Sequence, residues 1–353
     1  MQQYGLDSIR NIVLLSHSGA GKTSLAEAAL FTSGAITRLG RVDDGSTTSD
    51  YEPDEIKRKI SINLAILPHQ WKGAKINLID SPGYFDFVGE VKAAMRVSEG
   101  AIVVICAASG VEVGSEQVWG YCEEANLPRL IFINKMDREN ADFYRTLDGL
   151  QAKFGSRCIP LQLPIGAYQD FQGVIDLLTM KSYVGSEAKE AEIPSSMQEQ
   201  VGSFREKLVE AVAEIDDKLI EKYLEGEELS PEELSNGVRQ AVVTGKLVPV
   251  LVGSAIQNIG ITSLLDAINN YLPSPKERDV VIAGDSAKQA EQTIKPNQDA
   301  PLAALVFKTS ADPYVGKLTY LRVYTGTMDS NAQVWNATRG NLERICQLFI
   351  LRV

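Results

Sequence analysis

The sequence predicts an α/β fold, a mostly parallel sheet covered by helices on both faces, followed by the start of an all-β region. Three observations carry the prediction. Over the first 160 residues, short apolar runs rich in β-branched residues alternate with segments of helical period, the pattern of strand-helix-strand units. A glycine-bearing turn, Ser16-His17-Ser18-Gly19-Ala20-Gly21-Lys22-Thr23, joins the first such run to the first helical segment. After Pro301 the pattern changes to alternating strands broken by turn residues such as Asp312-Pro313 and Thr325-Gly326, as in a β-barrel.

Strands are expected at 11–16, 60–67, 75–80, 101–107 and 129–134, with helices starting near Lys22, Phe87, Glu116 and Ala141. A last strand at 248–253 precedes a helix at 261–272, so the sheet is interrupted by an insertion of about 160–246. Within it, residues 186–240 hold 15 acidic and 6 basic side chains and read as solvated helices on a projecting subdomain. These elements make residues 1–275 one domain. The polar, proline-bearing stretch 276–300 reads as a linker. Strands at 302–308, 317–324, 333–336 and 342–351 then open a partial barrel over 301–353, and the apolar end of the chain suggests a fragment.

Composition narrows the class. The chain has 353 residues, 44% of them hydrophobic and 23% charged, as in ordinary globular proteins. Its net charge of −11 argues against a protein that coats nucleic acid with a general positive field, and no DNA partner is expected. The longest apolar run, 101–108, is far short of the ~20 residues needed to span a bilayer, and no apolar leader opens the chain. A cytoplasmic protein without membrane contact is expected. Four cysteines without C-x-x-C spacing and only two histidines, His17 and His69, argue against structural zinc and for buried free thiols.

Four short motifs carry chemistry, each at the carboxyl end of an expected strand. In the glycine-bearing turn, successive N–H groups of Ser18, Gly19, Ala20, Gly21, Lys22, Thr23 and Ser24 converge on an anion at a helix N-terminus. Lys22 would reach the β- and γ-phosphates of a nucleotide and Thr23 would hold Mg²⁺. Asp80-Ser81-Pro82-Gly83 follows, its aspartate suited to Mg²⁺ through a water and its Gly83 N–H to a γ-phosphate. Asn134-Lys135-Met136-Asp137 offers a carboxylate that can accept from N1–H and the 2-amino group of guanine, whereas adenine has neither donor. There Asn134 would bond N7, and Lys135 would lie along the base. Last, Ser254-Ala255 would place a backbone N–H at guanine O6. Each motif alone is also readable as a turn after a buried strand. Their joint order at one sheet edge, where open parallel sheets bind ligands, selects guanine-nucleotide binding.

These motifs resemble the translational GTPases, most nearly bacterial elongation factor G and particularly its second, divergent homologue. The runs Ser81 to Val91, Asn134 to Arg138, Gly253 to Ala255, Tyr271 to Pro275 and Asp312 to Tyr320 share the likeness. The resemblance implies a P-loop GTPase G domain bearing the acidic insertion, then part of domain II. It also implies a Mg²⁺-dependent enzyme taking GTP to GDP and phosphate on the ribosome, with large-subunit RNA and the stalk protein as partners and a monomeric state.

Residue by residue, the resemblance makes 50–61 the first switch region, with Ser61 at the position of a Mg²⁺-binding threonine. Lys59 stands where the family usually has glycine, and Ser18 and Gly19 stand where elongation factor G usually has an apolar residue and an aspartate. Tyr84 follows Gly83 at the place of a histidine that orients the attacking water. Lys22, Gly83 and Tyr84 are therefore the expected catalytic set. The Tyr84 hydroxyl either positions that water or the ring packs beside Phe85 and Phe87. The alternative to an active enzyme is a ribosome-associated guanine-nucleotide switch with negligible turnover.

Overall fold

The computed structural model describes residues 4–278, 280–282, 292–312 and 316–351. In chain order the first elements are β1 (Ile9–Leu15), α1 (Lys22–Thr32), α2 (Pro53–Arg58), β2 (Ala65–Trp71), β3 (Ala74–Asp80), α3 (Val88–Arg96), β4 (Gly100–Cys106), α4 (Val113–Glu124), β5 (Arg129–Asn134) and α5 (Phe143–Phe154). Next come β6 (Cys158–Pro160), β7 (Gln162–Ile165), β8 (Gly173–Asp176), β9 (Lys181–Val184), β10 (Lys189–Ala191), α6 (Gln198–Ala213), α7 (Asp217–Leu224) and α8 (Pro231–Val243). The chain continues with β11 (Val248–Val252), α9 (Ile261–Tyr271), β12 (Val280–Ile282), β13 (Gln292–Ile294), β14 (Ala303–Asp312), β15 (Gly316–Thr325), β16 (Gln333–Asn336) and β17 (Asn341–Arg344).

The main sheet has seven strands in the order β2-β3-β1-β4-β5-β11-β6. Only β2 runs antiparallel, joined to β3 through a two-residue turn at Lys72 and Gly73, both with positive φ. Such a turn matches the twist of its flanking strands. The central strands β4 and β5 are buried along their whole length, which explains their continuous apolar text. Because β1, β3, β5 and β11 are parallel neighbours or near neighbours, their carboxyl ends open on one edge.

Several local differences from the sequence expectations follow from the structure. The second strand starts at Ala65 rather than residue 60, because the Ile62 and Asn63 N–H groups donate to Glu55 Oε1 at 2.8 and 2.9 Å instead of joining a ladder. The insertion begins with a four-stranded antiparallel sheet, β10-β9-β8-β7, whose strands of three or four residues are too short to show a period. Its helices are amphipathic rather than solvated all round: Val201, Leu208 and Val212 of α6 and Leu234, Val238 and Ala241 of α8 belong to the main core. The short strand β6 also enters the main sheet beside β11.

Residues beyond the main sheet form hairpins β12-β13, β14-β15 and β16-β17. The strand expected at 342–351 ends at Arg344, since Ile345 N–H turns to Ala332 O at 2.9 Å. Part of the expected linker, 279 and 283–291, and the Pro313 turn lie outside the described residues. The β14-β15 hairpin grips the α/β body. Arg322 pairs with the buried Glu99, and the Tyr324 hydroxyl donates to Arg96 O at 3.0 Å at the end of α3. Three cysteines are buried and Cys346 is exposed. Among the described residues no helix is long and apolar enough to cross a membrane.

Candidate functional site

The turn between β1 and α1 is built around the uncapped start of a helix. No side chain caps the first turn of α1, so the N–H groups of Lys22, Thr23 and Ser24 are left to an external acceptor. Gly21 has φ of 96°, and a Cβ there would stand 2.6 Å from Asn134 Nδ2. Only glycine fits. Gly83 closes the opposite side, its backbone against the Ser18 backbone and the Lys22 ammonium, while Ala20 is buried below.

Lys22 is buried and donates to Ser16 Oγ at 2.8 Å. Thr23 Oγ1 donates to Asp80 Oδ2 at 2.7 Å and stands 3.0 Å from Ser61 Oγ. Residues from α1, from the loop after α2 and from the end of β3 thus meet in one oxygen cluster. Asp50, 4% exposed, joins it through Ser61. The sequence placed Asp50 at the start of the expected 50–61 switch region without giving its carboxylate a role.

Electrostatics show what this cluster lacks. Burial lowers the Lys22 ammonium to about 8, against the opposing pull of Asp80 and Asp50. Burial likewise raises the Asp80 carboxyl to about 6 despite Lys22 and the Thr23 hydroxyl. Both shifts mean charge removed from water without full compensation. The pocket therefore suits an anion beside Lys22 and a cation beside Asp80. Asp80 Oδ1 is buried without a hydrogen-bond partner. That orphan oxygen, with the Thr23 and Ser61 hydroxyls, fits a hard, oxygen-seeking ion such as Mg²⁺. Among the described residues no group of three His, Cys, Asp or Glu side chains could hold a metal, so the fit is to an ion that keeps water and phosphate oxygens in its shell.

The base-side loops converge on the same edge. Asn134 Nδ2 donates to Ala20 O at 3.1 Å and to Gly21 O at 3.4 Å, and its Oδ1 accepts the Ala255 N–H at 3.0 Å. The Lys135 ammonium donates to Gly19 O. Asp137 Oδ1 accepts from the Ser254 hydroxyl. Asn134 thus braces the phosphate loop rather than standing free for N7, and the Ala255 amide is engaged by Asn134 rather than free for O6. Tyr84 is 44% exposed beside an exposed Phe85, so its ring is not sequestered in packing. The edge of Phe85 instead meets His17, ring centroids 6.4 Å apart.

Residues 7–274 match the family described as the elongation factor Tu GTP binding domain. Elongation factor G of Thermotoga petrophila is 45% identical over 351 residues, covering 98% of this chain and 50% of that protein. The Thermotoga maritima elongation factor G is 44% identical, covering 98% of this chain and 51% of its own length. A solved structure of a Thermus thermophilus protein superposes with a TM-score of 0.85 at 36% identity, covering 98% of this chain and 49% of that one. The chain spans about half the length of the relatives it matches.

Proposed function

This chain belongs to the elongation factor Tu GTP-binding domain family, and we propose that it binds GTP and GDP with Mg²⁺ and hydrolyses GTP as part of an elongation factor G-like translation factor. The observation that carries the reading is the convergence of four loops, after β1, β3, β5 and β11, on one sheet edge with uncompensated charge of both signs. Lys22 and the N–H groups of Ser18 to Ser24 take the phosphates. Thr23, Ser61 and Asp80 would hold Mg²⁺, which would supply positive charge against the nucleotide's phosphates. Asp137 accepts from guanine N1–H and the 2-amino group, Ala255 N–H turns from Asn134 to O6, and Lys135 lies along the base. Gly83 N–H bonds the γ-phosphate. The exposed Tyr84 hydroxyl positions the attacking water.

The ribosome is the partner in this reading, with large-subunit RNA near the nucleotide edge and the stalk protein on the acidic 186–240 segment, whose net charge of −9 repels RNA and attracts basic protein surfaces. The protein acts as a cytoplasmic monomer. One observation favours a slower variant of the reading, a switch with negligible turnover: a phenol stands at residue 84 where the family generally has an imidazole. GTP turnover by the full-length protein, measured with and without vacant ribosomes, tests both. Ribosome-stimulated phosphate release supports the enzyme, whereas its absence under conditions where elongation factor G turns over leaves only the switch. Calorimetric titration with ATP and GTP tests the base assignment, and equal affinities would sink it.

A further inference from the structure

Glu27 lies in α1, one turn beyond Lys22 and Thr23, and is 2% exposed. Its carboxylate contributes nothing to the phosphate, metal or base contacts described above. Instead Oε1 accepts the Gly40 N–H at 3.2 Å and the Thr48 hydroxyl at 3.3 Å, and Oε2 accepts the Thr48 N–H at 2.9 Å. Between those anchors, Arg41 N–H donates to Ser46 Oγ at 3.0 Å and Ser46 N–H donates to Arg41 O at 3.1 Å. Residues 40–48 are therefore a closed loop with both ends tied to one side chain.

A cavity of about 370 Å³ lies between helix and loop, lined by Glu27, Ala35, Ile36, Arg38, Gly40 and Thr48 among others. The contact is also close-fitting, since a Cβ on Gly40 would stand 2.3 Å from Ser46 O and 2.6 Å from Glu27 Oε1. Two residues past Thr48 the chain buries Asp50, which bonds Ser61, which in turn meets Thr23. The path from Glu27 to Thr23 on the metal and γ-phosphate side of the site is thus a short covalent run, residues 48–50, plus three hydrogen bonds.

We infer that Glu27 is a positioning residue for γ-phosphate recognition: by fixing residues 40–48 it sets where Asp50 and Ser61 stand against Thr23 and Asp80. The inference rests on the guanine-nucleotide reading proposed above. It separates GTP from GDP, because the phosphate loop and the base loops grip GDP without this segment, whereas Ser61, 3.0 Å from Thr23 Oγ1, joins Lys22 and Gly83 on the side that faces a third phosphate.

Two variants reach the contact from opposite sides. Glu27→Gln keeps the volume but turns one acceptor into an NH₂ group facing donors, and Gly40→Ala crowds Ser46 O and the Glu27 carboxylate from the loop side while leaving the α1 sequence unchanged. Affinities for fluorescent GDP and for a non-hydrolysable GTP analogue are measured in Mg²⁺ for wild type and both variants. Each variant should lose roughly tenfold in analogue affinity, the size expected for a hydrogen bond to a charged group, and keep GDP affinity within about twofold. Retained GDP binding also reports an intact fold. Equal losses for the two nucleotides would assign Glu27 a merely structural role, and any other pattern than selective loss in both variants overturns the inference. Wild-type protein that binds neither nucleotide would overturn the guanine reading and this inference with it.

Discussion

Ser254 donates its hydroxyl hydrogen to Asp137 Oδ1, tying the loop after β11 to the loop after β5. The same hydroxyl oxygen accepts the Gln257 N–H at 3.2 Å, so both lone-pair and proton directions of Ser254 are set. The carboxylate that would read guanine is therefore oriented before any ligand arrives, which lowers the ordering cost of binding. Asp137→Asn should weaken GTP and GDP binding by about 2 to 4 kcal/mol, since one acceptor becomes a donor facing donors. Affinity for xanthine nucleotides, whose C2 carbonyl accepts, should rise in the same variant. Titration of both base types into wild type and variant checks this, and an unchanged preference would refute the pairing.

Asn134 couples the base loops to the phosphate loop through bonds to Ala20 O, Gly21 O and the Ala255 N–H. Asn134→Ala leaves a buried N–H and two carbonyls without that partner, so unfolding free energy should fall by about 1 to 3 kcal/mol. Because the brace serves the phosphate loop, GDP and GTP affinities should drop together. Denaturant unfolding and nucleotide titration read the two effects; loss of GTP binding alone would contradict the bracing role.

Arg322 of β15 pairs with Glu99, whose side chain is 4% exposed and whose second oxygen accepts Asn11 Nδ2 at 2.8 Å. Arg322→Ala strands a buried carboxylate, which costs about 3 to 5 kcal/mol when one partner of a buried pair is removed. The damage should localise. Hydrogen exchange in β14 and β15 should quicken while β4 and β5 stay protected, and uniform protection across all four strands would show that the hairpin is held without this pair.

His69 makes stability depend on pH. Buried in β2, its Nδ1–H donates to Leu67 O at 3.1 Å while Nε2 has no partner, and burial lowers its pKa from 6.5 to about 4. Between those two values the unfolded chain binds more protons than the folded one, so stability is full above about pH 6.5 and is lost as pH falls toward about 4. The loss attributable to this group is about 3 kcal/mol. Urea unfolding of wild type and His69→Phe across this window should show a shallower acid slope in the variant. Parallel slopes would assign the acid sensitivity elsewhere.

That four motifs gather at one sheet edge was legible in the text because each motif is local. The phosphate loop needs glycine at a left-handed position before a helix, and strand ends carry the acidic motifs; β5 at Arg129–Asn134 and β16 at Gln333–Asn336 fall on the expected residues. Periodicity over long buried runs also determined the parallel sheet, since a strand covered on both faces must be apolar throughout. Short strands escaped for the converse reason: β6 to β10 have three or four residues each, too few to express a period of two.

Tertiary structure alone decided which polar groups meet. Asn134 bonds Ala20 across 114 positions and Ala255 across 121, and nothing in either local sequence names the other. The same holds at Leu64, whose N–H donates to Glu90 Oε2 at 2.9 Å and whose carbonyl accepts from Lys308 of β14, so one backbone unit links three parts of the chain. Glu27 and Asp50 read in the sequence as a helix carboxylate and a loop carboxylate. Their work depends on burial, which withdraws them from water and forces each to find a donor, and burial is a property of the packed sheet rather than of any neighbouring residue.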